Sequence, residues 1–165
     1  MKKLLILVLT ALTLTLTACG GNENTNAPAD ADLQGLYDTL AEEFQWEEGY
    51  LVDIEGEMLE SYYPGLSEIP IKQMIAKMPM MSSVVNEIVF LQCETEEDAG
   101  KAAEILQDRI DYQVGDEKNP GGAWYPESIE AWKKGQVVQQ GTYVAMIASA
   151  EHQDEITGQF NALFA

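Results

Sequence analysis

The chain has 165 residues and 46% hydrophobic content, enough to bury a core, so global disorder is excluded. Nine Lys and Arg stand against 28 Asp and Glu, a formal net charge of -19. With no basic cluster to contact phosphates, nucleic-acid binding is excluded as well.

Residues 1–18 read as a secretory signal peptide: Lys2 and Lys3 form the basic start, Leu4 to Leu16 the apolar run, and Leu16-Thr17-Ala18-Cys19 a small-residue processing site. The apolar run is about 13 residues, and a spanning helix needs roughly 20. The tetrad followed by Gly20 and Gly21 resembles the bacterial lipobox, in which the cysteine is lipidated and becomes the first residue of the mature protein. Cys19 is therefore the expected lipidation site, carrying palmitate-type chains that hold the protein on the outer face of a bacterial cytoplasmic membrane. Loss of Lys2 and Lys3 would take the net charge to about -21.

Residues 19–32 form the lipidated cysteine and a polar tether without large apolar side chains. Residues 33–165 are expected to form a single α+β domain. Leu33, Leu36, Tyr37, Leu40 and Phe44 recur at helical spacing behind Asp30 or Asp32 as cap, which predicts an N-terminal helix. Gly49-Tyr50 breaks it, and an irregular acidic stretch follows up to Pro64-Gly65. A short helix is expected over Ile71 to Lys77, stopping before Pro79.

Ile88 to Cys93 is apolar on both faces and reads as a central strand, with Met78 to Val84 as an edge partner across a turn at Val85-Asn86. Thr95 and Asp98 form a capping box for a long helix whose stripe is Ala99, Ala102, Ala103, Leu106, Ile110 and Val114. A loop rich in Gly and Pro runs from Gly115 to Pro126, followed by a short helix with Ile129 and Trp132. A second hairpin, Gln136 to Gln140 and Thr142 to Ser149, precedes a last helix carrying Ile156, Phe160, Leu163 and Phe164. The pattern is strand, strand, helix, given twice: a small antiparallel sheet of about four strands in two hairpins, packed with helices.

Few residues point to chemistry. His152, at the start of the last helix, is the single histidine and cannot build a multi-histidine metal site. Cys93 lies among Glu94, Glu96 and Glu97, the opposite of the electropositive setting a nucleophilic thiol needs, and is read as a buried apolar residue. Asp30 to Asp38 resembles the start of a calcium loop, but Ala41 stands where a bidentate Glu is required, so no metal is assigned. Acid pairs such as Glu47 and Glu48, or Asp53, Glu55 and Glu57, are unavoidable with so many carboxylates and read as a solvated surface. No cofactor is implied.

Trp124, Tyr125 and Trp132 are the candidate binding residues, because glycines and prolines hold aromatics in a polar stretch. Such rings can stack on sugars, peptides or partners; they can also cover the second face of the sheet, the reading preferred for this loop.

Tyr63-Pro64-Gly65-Leu66, Asn86 to Phe90 after a Met-rich stretch, the helix from Asp98 through Arg109, Tyr125-Pro126-Glu127 and Gln140 to Val144 together resemble a family of small uncharacterised Gram-positive lipoproteins, domain of unknown function 4358. The resemblance covers roughly Tyr50 to the C-terminus and implies an extracytoplasmic, lipid-anchored domain; it brings no activity and no site residues. The sequence thus favours a non-catalytic binding or interaction module engaging a cell-wall component or an envelope protein. A carboxylate-using hydrolase of wall polymers and a structural subunit of an envelope complex are the alternatives.

Overall fold

A computed structural model describes residues 31–165. The expected signal peptide, Cys19 and all of the tether but its last two residues lie outside this range. Helix α1 (Leu33–Glu43) begins where Asp32 accepts a hydrogen bond from the Gly35 amide, satisfying one of the orphan donors of the first turn. Then come β1 (Leu51–Asp53), α2 (Glu57–Tyr62), a single 3-10 turn at Leu66–Glu68, β2 (Ile71–Pro79) and β3 (Asn86–Cys93). The long α3 (Glu96–Val114), α4 (Pro126–Trp132), the hairpin β4 (Gln136–Gln140) and β5 (Tyr143–Ser149), and α5 (Gln153–Ala162) complete the chain.

The architecture is α+β: one five-stranded antiparallel sheet in the order β1-β2-β3-β5-β4, with helices on both faces. The expected count of four strands is thus corrected to five. The second expected hairpin is present, but the first is corrected: the partner of β3 is Ile71 to Lys77, strand rather than helix, and Met80 to Val85 connects β2 to β3 instead of pairing with it. Ile71, Ile75 and Met78 mimic helical spacing because the strand packs on both sides, Ile71 and Met78 against one core and Ile75 against the other, with a register shift between Ile71 and Gln73. Pro79 ends β2 opposite Leu51, so at this end the edge belongs to the three-residue β1, short enough to offer little template for further pairing, while Ile71 to Ala76 of β2 have no strand beyond them among the described residues.

Every residue of β3 and β5 is buried. On one face, Ile88, Phe90, Ala145 and Ile147 pack under α1 and α5 through Leu36, Leu40, Ile156 and Phe160. On the other, Val89, Leu91, Val144 and Met146 pack under α2, α3 and α4 through Leu59, Ala102, Leu106 and Trp132. The alternation follows from the two-residue period of a strand, and it separates two cores.

The two ends of the sheet also differ. At the Gln92 end of β3 the incoming chain is clamped: the Ala31 amide donates to Tyr143 Oη at 3.0 Å, and Gln73 Nε2 donates to the Ala31 carbonyl at 3.0 Å. At the Asn86 end, six residues and roughly 20 Å away along β3, lie the β2–β3 connection and the loop before α4.

Candidate functional site

Both core-facing stripes under α3 are interrupted by a charge. Glu87 alternates with Val89 and Leu91 on β3, and Arg109 follows Leu106 on α3. The two residues are 3% and 6% exposed and meet in a two-pronged ion pair: Arg109 Nε donates to Glu87 Oε1 and Nη2 to Oε2, each at 2.9 Å. Tyr63, fully buried just after α2, donates its hydroxyl to Glu87 Oε1 at 2.5 Å. The guanidinium carbon lies 4.3 Å from the Tyr62 ring centre and 5.5 Å from that of Trp132, within cation–π range. Three chain segments distant in sequence are joined through one carboxylate.

The electrostatics follow from burial and that carboxylate. Burial, and then the Glu87 charge, push the Tyr63 phenol well above its ordinary value. Burial works against the Arg109 charge, but hydrogen bonds and attraction from Glu87 outweigh it and raise the pKa. Both groups hold their protons across the physiological range, so the cluster is a fixed dipole rather than an acid–base pair.

Above this cluster opens a groove of about 540 Å³. Its floor includes Glu87, Arg109 and Trp132; one wall is the Met81 to Val85 part of the β2–β3 connection, and the other is formed by Tyr112, Trp124 and Tyr125. Ser128 Oγ donates to the Ser83 carbonyl at 3.2 Å, fastening α4 to the first wall. The second wall is folded back onto the end of α3: Gly122 N donates to Tyr112 O at 2.9 Å and Ala123 N to Gln113 O at 3.1 Å. A side-chain methyl at Gly121 would come within 2.3 Å of Gln113 O, so the close approach requires glycine there.

The three aromatics singled out from the sequence all line this groove but have separate roles. Trp132 is 5% exposed and packs in the core, the covering role expected for the whole loop. Trp124 and Tyr125 are 88% and 54% exposed and stand at the rim, so for them the covering role is corrected: the loop's glycine-enforced return carries them past the sheet rather than onto it.

The remaining candidates lie elsewhere. His152 sits at the N-cap position of α5, its ring stacked on Phe44 with centres 3.9 Å apart. Cys93 is buried at the end of β3, and burial, then Asp98, pushes its thiol up to about 11, far from a reactive thiolate. Asp32 to Ala41 belong to α1 and its cap. Glu47, Glu48, Asp53, Glu55 and Glu57 are exposed and none of them lines the groove; Asp53 pairs with Lys77 at 2.8 Å. Among the described residues no group of three or more His, Cys, Asp or Glu could hold a metal ion, and no helix is long and apolar enough to cross a membrane.

Sequence reasoning missed Glu87 and Arg109 as a site. The signal was present: one charge of each sign, each on a stripe otherwise facing the core, and neither affordable there alone.

A family described as Domain of unknown function (DUF4358) matches residues 45–149, a span from the end of α1 through β5 that contains the groove. No curated protein and no solved structure matches the chain.

Proposed function

The chain belongs to the DUF4358 family, and on that footing we propose that it is a lipid-anchored extracytoplasmic binding module whose ligand-binding site is the groove under Trp124 and Tyr125. The observation that carries the reading is the exposure of two large aromatic rings beside a buried, hydrogen-bonded ion pair, since rigid aromatics around a desolvated polar floor are what binding hot spots are made of. The anchor rests on the lipobox Leu16-Thr17-Ala18-Cys19. The tether from Cys19 joins the body at Ala31, beside Gln73 and Tyr143, whereas the groove opens at the other end of the strands. A membrane-held body can thus present the groove to the wall or to an envelope partner.

A wall hydrolase working by two carboxylates needs both near the scissile bond with separated pKa values. Glu87 is the carboxylate lining the groove, and both its oxygens are held by Arg109 and Tyr63. This arrangement suits binding better than proton transfer.

Two measurements test the proposal. Cys19→Ala should release the protein from the membrane fraction and abolish lipid labelling; continued membrane retention would refute the anchor. Pull-down from envelope fractions should recover a ligand with the unaltered protein and lose it with Trp124→Ala; equal recovery with both would refute the site.

A further inference from the structure

The floor of the groove holds donors that the fold does not use. A guanidinium carries five N–H groups; Glu87 takes one from Nε and one from Nη2 of Arg109, and the others have no protein partner among the described residues. None of the Arg109 nitrogens is a buried atom without a partner, so the spare N–H groups keep access to solvent, and Arg109 lines the groove, where an acceptor on a ligand can take the place of water.

The character of that acceptor follows from charge. The Arg109 charge is already matched by Glu87 at 2.9 Å, so the floor is neutral, and a chain with 28 acidic against 9 basic residues repels anions at long range. A carboxylate or phosphate therefore gains little here, while a neutral carbonyl oxygen accepts the spare N–H groups without opposing the field. The rim adds a second requirement. Trp124, Tyr125 and Tyr112 offer exposed ring faces, with the polar Ser82 and Gln113 on the same walls, a surface for a flat ligand with C–H on its faces and hydroxyls on its edge. Beside the groove an extended peptide finds no free strand edge: β3 is paired on both sides, and β1 covers β2 from Lys77 to Pro79.

We propose that the groove binds a neutral N-acetylated sugar chain, with sugar faces on Trp124 and Tyr125 and an acetamido carbonyl accepting from Arg109. This inference rests on the groove being the binding site, and the experiment separates the two. The full chain in detergent is titrated with triacetylchitotriose, with cellotriose, which lacks acetamido groups, and with the capped tripeptide acetyl-Leu-Phe-Leu-amide, following tryptophan fluorescence and heat. Saturable binding of triacetylchitotriose is expected, weakened about tenfold or more by Trp124→Ala and for cellotriose against the unaltered protein. Arg109→Lys, which keeps the charge but loses the fork, should erase the preference for the acetylated sugar; a thermal melt checks that it folds, and the cellotriose comparison needs no variant. Equal affinity for the two sugars, or sugar binding unaffected by Trp124→Ala, overturns the proposal. Tripeptide binding that depends on Trp124, without sugar binding, overturns the sugar assignment and leaves the groove as the site. No Trp124-dependent binding of any probe, together with none from envelope fractions, overturns both.

Discussion

Under α1 and α5 the middle of the sheet is closed by apolar side chains, with Phe90 and Phe160 stacked 5.8 Å apart; under α3 the same strands carry a buried Glu87–Arg109 pair and end in an open groove. Both faces are buried, yet the middle of the first is closed by packing, with polar contacts at its ends such as the clamp of Gln73 and Tyr143 on Ala31. The second gives up apolar contact to fix a charged fork, and a buried ion pair is seldom the more stable choice over well-packed hydrophobics. Under the proposed function, the difference assigns stability to one side of the sheet and recognition to the other.

The comparison breaks most visibly at the ion pair. Arg109→Met should cost about 3–5 kcal/mol in urea unfolding because it strands Glu87, whereas the double change Glu87→Leu, Arg109→Met should recover most of that loss. If the double variant is as unstable as the single, the pair is structural and the contrast between faces fails. Phe160→Ala on the other face should also cost about 3–5 kcal/mol, with no second substitution expected to restore it.

Alkaline pH should act on the α3 face. The Cys93 thiol rises from an ordinary value near 9 to about 11, and the Tyr63 phenol rises well above its ordinary value, so the folded state keeps protons that the unfolded chain gives up. The Cys93 contribution is complete below about pH 9 and is lost as pH climbs through 11, and the Tyr63 contribution begins to decline only above about pH 10. Thermal melts should therefore fall over that window, and Cys93→Ala should flatten the decline; an unchanged slope would contradict the assignment.

Much of this architecture was legible from periodicity. Leu33 to Phe44, the alanine stripe of α3 and the run Tyr143 to Ser149 declare themselves because burial repeats at 3.6 or is continuous over a strand's length. β1 was not legible, since three residues show no period, and β2 was misread because Ile71, Ile75 and Met78 stand at helical spacing, although Ile71 and Met78 pack on one face of the sheet and Ile75 on the other. The site was half legible: Trp124 and Tyr125 stood out as loop aromatics, but which way they face is decided by the fit of Gly121 against Gln113, a tertiary contact.

Smaller effects sharpen the contrast. Asp32→Ala at the clamped end should cost about 1 kcal/mol by removing the α1 cap. Trp124→Ala should change stability by no more than about 0.5 kcal/mol, since the side chain is exposed, while abolishing ligand capture. A large loss of stability would mean that Trp124 serves the fold after all.

The most direct test of the central claim, that ligand is met at the groove and not on the α1/α5 face, is photo-crosslinking in intact cells. Benzoylphenylalanine is placed at Trp124 in one strain and at the exposed Glu42 of α1 in another. The account predicts a discrete envelope adduct from position 124 and none from position 42. Adducts equal at both positions, or formed from position 42 alone, would contradict it.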